Sequence, residues 1–177
     1  MLSKVRHYVD KNELKNIYHA IFESHLRYGC QIWYLSNSKS IKEKINKLQK
    51  KALRSMSFSD SNEPSSPLFK EWKILKTEDI VDVQNLLLCH SFLNGKLPQS
   101  FENFFQKSSD TNLNNTRACS SDSLYLPRFK STTYGARSLT SVCIRSWNDL
   151  RKTIDTPSSM SLAELKKKLF ELYLDQY

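Results

Sequence analysis

A chain of 177 residues with 27 Lys and Arg against 18 Asp and Glu, net charge +9, and 39% hydrophobic residues can bury a core in one domain or in a domain with a small appendage. Its three glycines argue against an all-β design built on tight turns, and no apolar run approaches the ~20 residues of a membrane span. The four cysteines, Cys30, Cys89, Cys119 and Cys143, lack zinc-ligand spacing; with no secretory signal they read as free thiols of an intracellular chain, nuclear or cytoplasmic.

The first predicted helix runs from about Asn12 to Tyr28, with Asp10 or Asn12 placed to cap it and Gly29 to occupy C′. Leu14, Ile17, Tyr18, Ile21, Phe22 and His25 recur at three- and four-residue spacing and share one face. On that face His25 reads as a packed histidine, because no metal-ligand partner stands at helical spacing. Trp33 and Tyr34 fall in a short connection, and Ser36-Asn37-Ser38 in a turn. A second helix is predicted over Ser40 to Met56. Its apolar stripe is Ile41, Ile45, Leu48, Ala52 and Met56, and Lys44, Lys47, Lys50, Lys51 and Arg54 lie across from it.

Residues 57–66 are rich in Ser, Pro and Asp and read as a loop; Pro67 suits the first turn of a short helix through Trp72. Thr77 is placed to cap a third long helix, Glu78 to about Asn94, with Glu78, Asp79 and Asp82 near its positive end. Apolar residues surround most of this helix, so it is the expected central buried element, and His90 within it reads as packed. Gly95 and Pro98 end it, and Gln99 to Phe105 is a candidate short helix. Residues 107–123 read as a flexible linker between a helical domain (1–106) and a C-terminal appendage (124–177). In the appendage Leu124-Tyr125-Leu126 and Thr132-Thr133-Tyr134 are candidate strands, and Leu139 to Ile144 is ambiguous. A helix is expected around Trp147 to Thr153. A final helix opens near Ser159 or Ser161, with a stripe of Leu162, Leu165, Leu169 and Tyr173 and with Lys166-Lys167-Lys168 outside. The fold class expected is mainly α, with a small β element in the C-terminal third. Trp33, Trp72 and Trp147 are the expected core anchors.

No constellation for catalysis stands out: no Gly-rich phosphate loop, no Gly-x-Ser-x-Gly, no His-Glu-x-x-His and no adjacent Asp-Asp. The charge, in contrast, is concentrated. Residues 39–54 hold seven Lys and Arg against Glu43, and residues 124–153 hold six against Asp149. Such blocks are either solvated outer faces or contacts to a polyanion. In the second block Tyr125, Arg128, Lys130, Tyr134 and Arg137 interleave aromatic and basic side chains. That pattern fits base stacking with phosphate binding, or the packing of a small sheet on the helices.

The stretch Ser24-His25-Leu26-Arg27-Tyr28-Gly29-Cys30-Gln31-Ile32-Trp33, with Leu48-Gln49-Lys50-Lys51-Ala52-Leu53-Arg54, resembles the segment just after the catalytic palm in reverse transcriptases of non-LTR (LINE-type, jockey-like) retrotransposons. Further residues resemble that family in order. They are Leu68-Phe69-Lys70-Glu71 with Ile74-Leu75, Leu97-Pro98 with Phe101, Thr116-Arg117, Leu126-Pro127-Arg128, Tyr134-Gly135 with Ser138, Trp147-Asn148-Asp149-Leu150 and Leu165-Lys166-Lys167-Lys168-Leu169. Trp72 stands where the family has leucine and Arg151 where it has proline. The resemblance spans roughly residues 14–170, and Met1 falls where the family chain leaves its palm.

What the resemblance implies is a thumb and tail that hold a primer–template duplex without the palm carboxylates or the Tyr-x-Asp-Asp hairpin. The chain is then expected to be no enzyme by itself, with no catalytic residue, metal or cofactor. Its expected partners are RNA or an RNA/DNA hybrid, and a palm and fingers polymerase domain supplied elsewhere, with no membrane. The candidate nucleic-acid-binding residues are Lys44, Lys47, Lys50, Lys51, Arg54, Arg128, Lys130 and Arg137. The alternatives are a helical protein-interaction module and a decayed element copy without selected function.

Overall fold

The computed structural model describes residues 2–60, 62–111, 122–154 and 157–177, apart from the side chains of residues 111, 133 and 134. Over them the chain is mainly helical. The α-helices are α1 (Leu2–Val5), α2 (Lys11–Tyr18), α3 (Ser24–Arg27), α4 (Cys30–Ser36), α5 (Lys39–Ser57), α6 (Ser66–Trp72), α7 (Thr77–Leu93), α8 (Ser108–Thr111), α9 (Leu139–Thr153) and α10 (Leu162–Asp175). The chain forms two compact units, one of residues up to Val81 together with Phe170–Tyr177, the other Asp82–Leu169. It passes from the first to the second within α7 and returns within α10. The described parts of the expected linker, 107–111 and 122–123, belong to the second unit; residues 112–121, including Thr116, Arg117 and Cys119, lie outside the described residues. Among the described residues no helix is long and apolar enough to cross a membrane.

The core of the first unit joins α2, α5 and α6 through Leu14, Tyr18, Leu53, Met56, Leu68, Phe69, Trp72 and Ile74. Asp10 caps α2, its carboxylate accepting from the Glu13 N–H at 2.7 Å. A π-helical turn, His19–Glu23, joins α2 to α3 and is closed by the Ser24 N–H donating to the His19 carbonyl. One extra residue in that turn advances the buried face by one position. Leu14, Tyr18, Glu23 and Leu26 therefore face inward, Ile21 is 40% exposed, and His25 lies in solvent instead of being packed. Gly29, at φ +58°, ends α3 in the left-handed region and starts α4. The segment of Trp33 and Tyr34 is thus a helix, not a connection. Cys30 and Tyr34 on it cluster with Val81.

In the second unit α9 covers both the ambiguous 139–144 segment and the expected helix at Trp147. Ser138 caps it, accepting from the Ser141 N–H. Cys143, Ile144 and Trp147 are buried, as are Cys89 of α7 and Leu165 and Leu169 of α10. His90 is buried as expected, its Nε2 2.9 Å from the Met160 carbonyl. Ser161 and Glu164 cap α10 reciprocally, Ser161 Oγ accepting from the Glu164 N–H (3.2 Å) and the Glu164 carboxylate from the Ser161 N–H (2.9 Å).

The expected strands do not form a sheet. Among the described residues the β element reduces to one antiparallel bridge between Lys107 and Leu124, and Thr132–Ala136 is a π-helical turn. The reason is local. Leu124 finds its backbone partners in a side chain: its N–H donates to Asn148 Oδ1 (3.2 Å), and its carbonyl accepts from Asn148 Nδ2 (2.9 Å). The amide supplies what a neighbouring strand would have supplied.

Candidate nucleic-acid interface

The rotation of α5 about its axis is set by a buried glutamine. Gln49, 1% exposed, donates from Nε2 to the Leu75 carbonyl (2.8 Å) and to Tyr18 Oη (3.1 Å). Its Oε1 accepts from the N–H and the hydroxyl of Thr77, both at 3.0 Å. One amide thereby joins α2, α5 and the first turn of α7, and satisfies an N–H that the helix start leaves open. With Gln49, Leu53 and Met56 inward, the buried stripe is turned from the one expected. Ile41 and Leu48, placed by periodicity on the apolar seam, are 41% and 57% exposed. An isolated wheel has no way to weigh a glutamine with four partners.

The same rotation presents the cations. Lys44, Lys47, Lys50 and Lys51 are all exposed, and none enters an ion pair among the described residues. At 3.6 residues per turn they lie within an arc of about 120°, over about 10 Å of helix. Like charges three and four residues apart each destabilise a helix by about 0.2–0.5 kcal/mol. The arrangement is costly alone and is relieved by an anion. Arg54 is different: its Nε and Nη2 donate to the Glu63 carbonyl at 3.1 and 2.6 Å, so it ties down the loop after α5. Three of its five N–H groups remain for other contacts. Lys42 lies over the Tyr34 ring, 4.4 Å from the centroid.

Arg128, Lys130 and Arg137 belong to the second unit, and all are exposed. They lie on irregular backbone around the turn at Thr132–Ala136. That turn is held by Gly135, where a Cβ would overlap the side chain of Phe129, and by Ser138 and Ser141, whose hydroxyls both donate to the Gly135 carbonyl at 2.7 Å. Tyr125 is half-buried, its N–H bonded to the Gln106 carbonyl at 2.8 Å. The structure therefore brings Lys44, Lys47, Lys50, Lys51 and Arg54 together on one helix. It gives the other three cations a separate, irregular setting. Of the tryptophans, Trp72 and Trp147 are buried anchors and Trp33 is half-buried.

Two sites escaped the sequence reading. Glu23 is buried at 4% exposure, held by the His19 imidazole and by Arg27, whose Nε donates to it at 2.6 Å. Burial opposes its charge, but the His19 and Arg27 contacts outweigh that and hold its pKa below the usual carboxylate value. The signal was legible as His19, Glu23 and Arg27 at four-residue spacing; its burial was not. Tyr177 packs edge-on against Phe69 (5.9 Å between centroids), its hydroxyl accepting from the Lys76 N–H (2.8 Å) and donating to Asp79. Burial raises the Asp79 pKa despite that donor. No sequence signal links residues about a hundred apart.

Among the described residues no group of three or more His, Cys, Asp and Glu is placed to hold a metal ion. Comparison with protein-family models, with curated proteins and with solved structures gives no match to the chain.

Proposed function

We propose that this chain is a non-catalytic thumb and tail of a retrotransposon-type RNA-directed DNA polymerase, and that it grips template RNA or an RNA/DNA hybrid inside the cell through the exposed face of α5. The observation that carries the reading is that four lysines stand exposed and, among the described residues, outside any ion pair, on one face of a helix whose rotation a buried side chain fixes. A duplex presents about one negative charge per 1.7 Å of its axis, so a row of this length can meet several phosphates at once. Contacts of this kind position a duplex without reading its bases. The ordered motifs from Ser24 to Leu169 support the polymerase assignment. Arg128, Lys130 and Arg137, exposed in the second unit, are candidate phosphate contacts in their own right.

Fluorescence anisotropy with RNA, DNA and hybrid duplexes across a salt series tests this. The expected result is sequence-independent binding whose logarithm falls linearly with the logarithm of salt concentration. No affinity for any of the three at low salt ends the reading.

A second reading rests on Tyr28 (84% exposed), Ile32 (71%) and Leu48 (57%). Apolar groups left in solvent at the end of α3, on α4 and on α5 suit docking against a catalytic domain supplied by another chain. A monomer by light scattering that takes up no hydrophobic dye speaks against it.

A further inference from the structure

The C-terminal end of α5 carries an aromatic residue in an unusual state. Phe58 follows the last helical residue with φ +58° and ψ 21°, a left-handed conformation that bulky residues adopt at a cost, and its ring is 57% exposed. Helical spacing places it at the end of the row Lys47, Lys51, Arg54. Two groups already pack on the ring: the Arg6 guanidinium sits 4.0 Å from its centroid and is fixed by donating to the Ser55 carbonyl at 2.6 Å, and the His7 imidazole meets it at a steep angle, 5.1 Å between centroids.

Phe58 also walls a cavity of about 300 Å³. Its other aromatic wall is Trp72, whose Nε1 donates to Ser57 Oγ at 2.6 Å and over whose ring Lys11 Nζ lies 5.0 Å from the centroid. Asp10 and Glu71 place acceptors at the same cavity, with Glu71 bound to Lys11 at 2.6 Å. The cavity thus combines an aromatic face, cations on its walls and acceptors for N–H groups. A planar heterocycle with donors on its edge and a phosphate chain attached matches this set.

We infer that this cavity receives an unpaired nucleobase, stacked on Phe58, from a strand whose phosphates run along the lysine face of α5. The inference rests on the nucleic-acid reading above and narrows it: the preferred ligand is a single strand, or a duplex with a single-stranded end, over a blunt duplex. Arg6, which lines the cavity beside Phe58, is placed to meet a phosphate of the bound strand.

The test uses Phe58→Leu, which keeps apolar bulk but loses the π face, and Phe58→Trp, which keeps both. The probes are a short single-stranded oligoribonucleotide carrying a fluorescent adenine analogue and the blunt duplex of the same length. Expected are quenching of the analogue by the native chain and by Phe58→Trp, and single-strand binding about 5- to 100-fold weaker for Phe58→Leu with duplex affinity unchanged. Melting curves of both variants establish that they fold. If Phe58→Leu binds the single strand as tightly as the native chain and quenches as strongly, the base goes elsewhere and the inference is wrong while the α5 reading stands. If the native chain binds neither probe, the α5 reading itself fails, and the inference with it.

Discussion

The two basic regions of this chain carry similar charge and present it in different ways. On α5 the cations repeat at helical spacing, and the helix is locked by Gln49, Leu53 and Met56, so charge along the sequence becomes an ordered row in space. Around Arg128, Lys130 and Arg137 the backbone is irregular and is held by a glycine contact and two serine hydroxyls. A count of lysines and arginines does not separate these regions. What separates them is whether a regular element with a buried anchor fixes the direction in which each side chain leaves the backbone. A preformed row binds phosphates without first ordering its own backbone, and so loses less entropy on binding.

The sharpest way to break the contrast is to remove the anchor. Gln49→Leu leaves the Thr77 N–H and the Leu75 carbonyl without their partner. The expected loss is about 3 kcal/mol of stability in the first unit, read by urea or thermal melts. A variant as stable as the native chain shows that Gln49 is not what holds α5.

Replacing Lys44, Lys47, Lys50 and Lys51 together by Gln tests the row itself. Affinity for nucleic acid is expected to fall by about 100-fold at moderate salt, with the log–log salt slope smaller by about 3. Stability is expected to stay level or rise slightly, because like-charge repulsion within the helix is removed. A combined loss of binding and folding contradicts the assignment of these lysines to solvent.

Gly135→Ala addresses the irregular region, where a new Cβ meets the Phe129 side chain. The second unit is expected to lose about 1–3 kcal/mol as the turn shifts. Binding through α5 is expected to persist. Equal loss at both regions means that they act as one surface.

The smallest effect expected is at Glu23. Its folded pKa lies below the ordinary value. Its stabilisation is therefore full above the unfolded carboxylate pKa of about 4.3 and fades as pH falls through the lowered folded value. Glu23→Gln is expected to cost about 1 kcal/mol at neutral pH and to flatten the acid limb of the stability–pH curve. An unchanged acid limb excludes the His19–Glu23–Arg27 contacts as its source.

Much of the fold was legible from local chemistry. Asp10, Gly29, Pro67, Thr77, Gly95 and Ser161 mark helix ends, because capping and left-handed turns depend on the residue and its immediate neighbours. His25 and Leu48 were misplaced because a π turn and a buried glutamine each shift a face that simple periodicity assigns. The strands at 124–126 and 132–134 did not form because their β-branched and aromatic residues express a preference that needs a partner strand. Here Asn148 takes the partner's place at Leu124.

The sequence alone determined that the chain is helical, where most helices stop, and that positive charge gathers in two blocks, since each of these follows from residue type and short-range spacing. Tertiary structure decided which side of α5 faces water, that Glu23 is buried and charged, and that Tyr177 returns to Lys76 and Asp79. Those outcomes depend on contacts between residues distant in the chain, where packing and buried hydrogen bonds outweigh the preferences of any single segment.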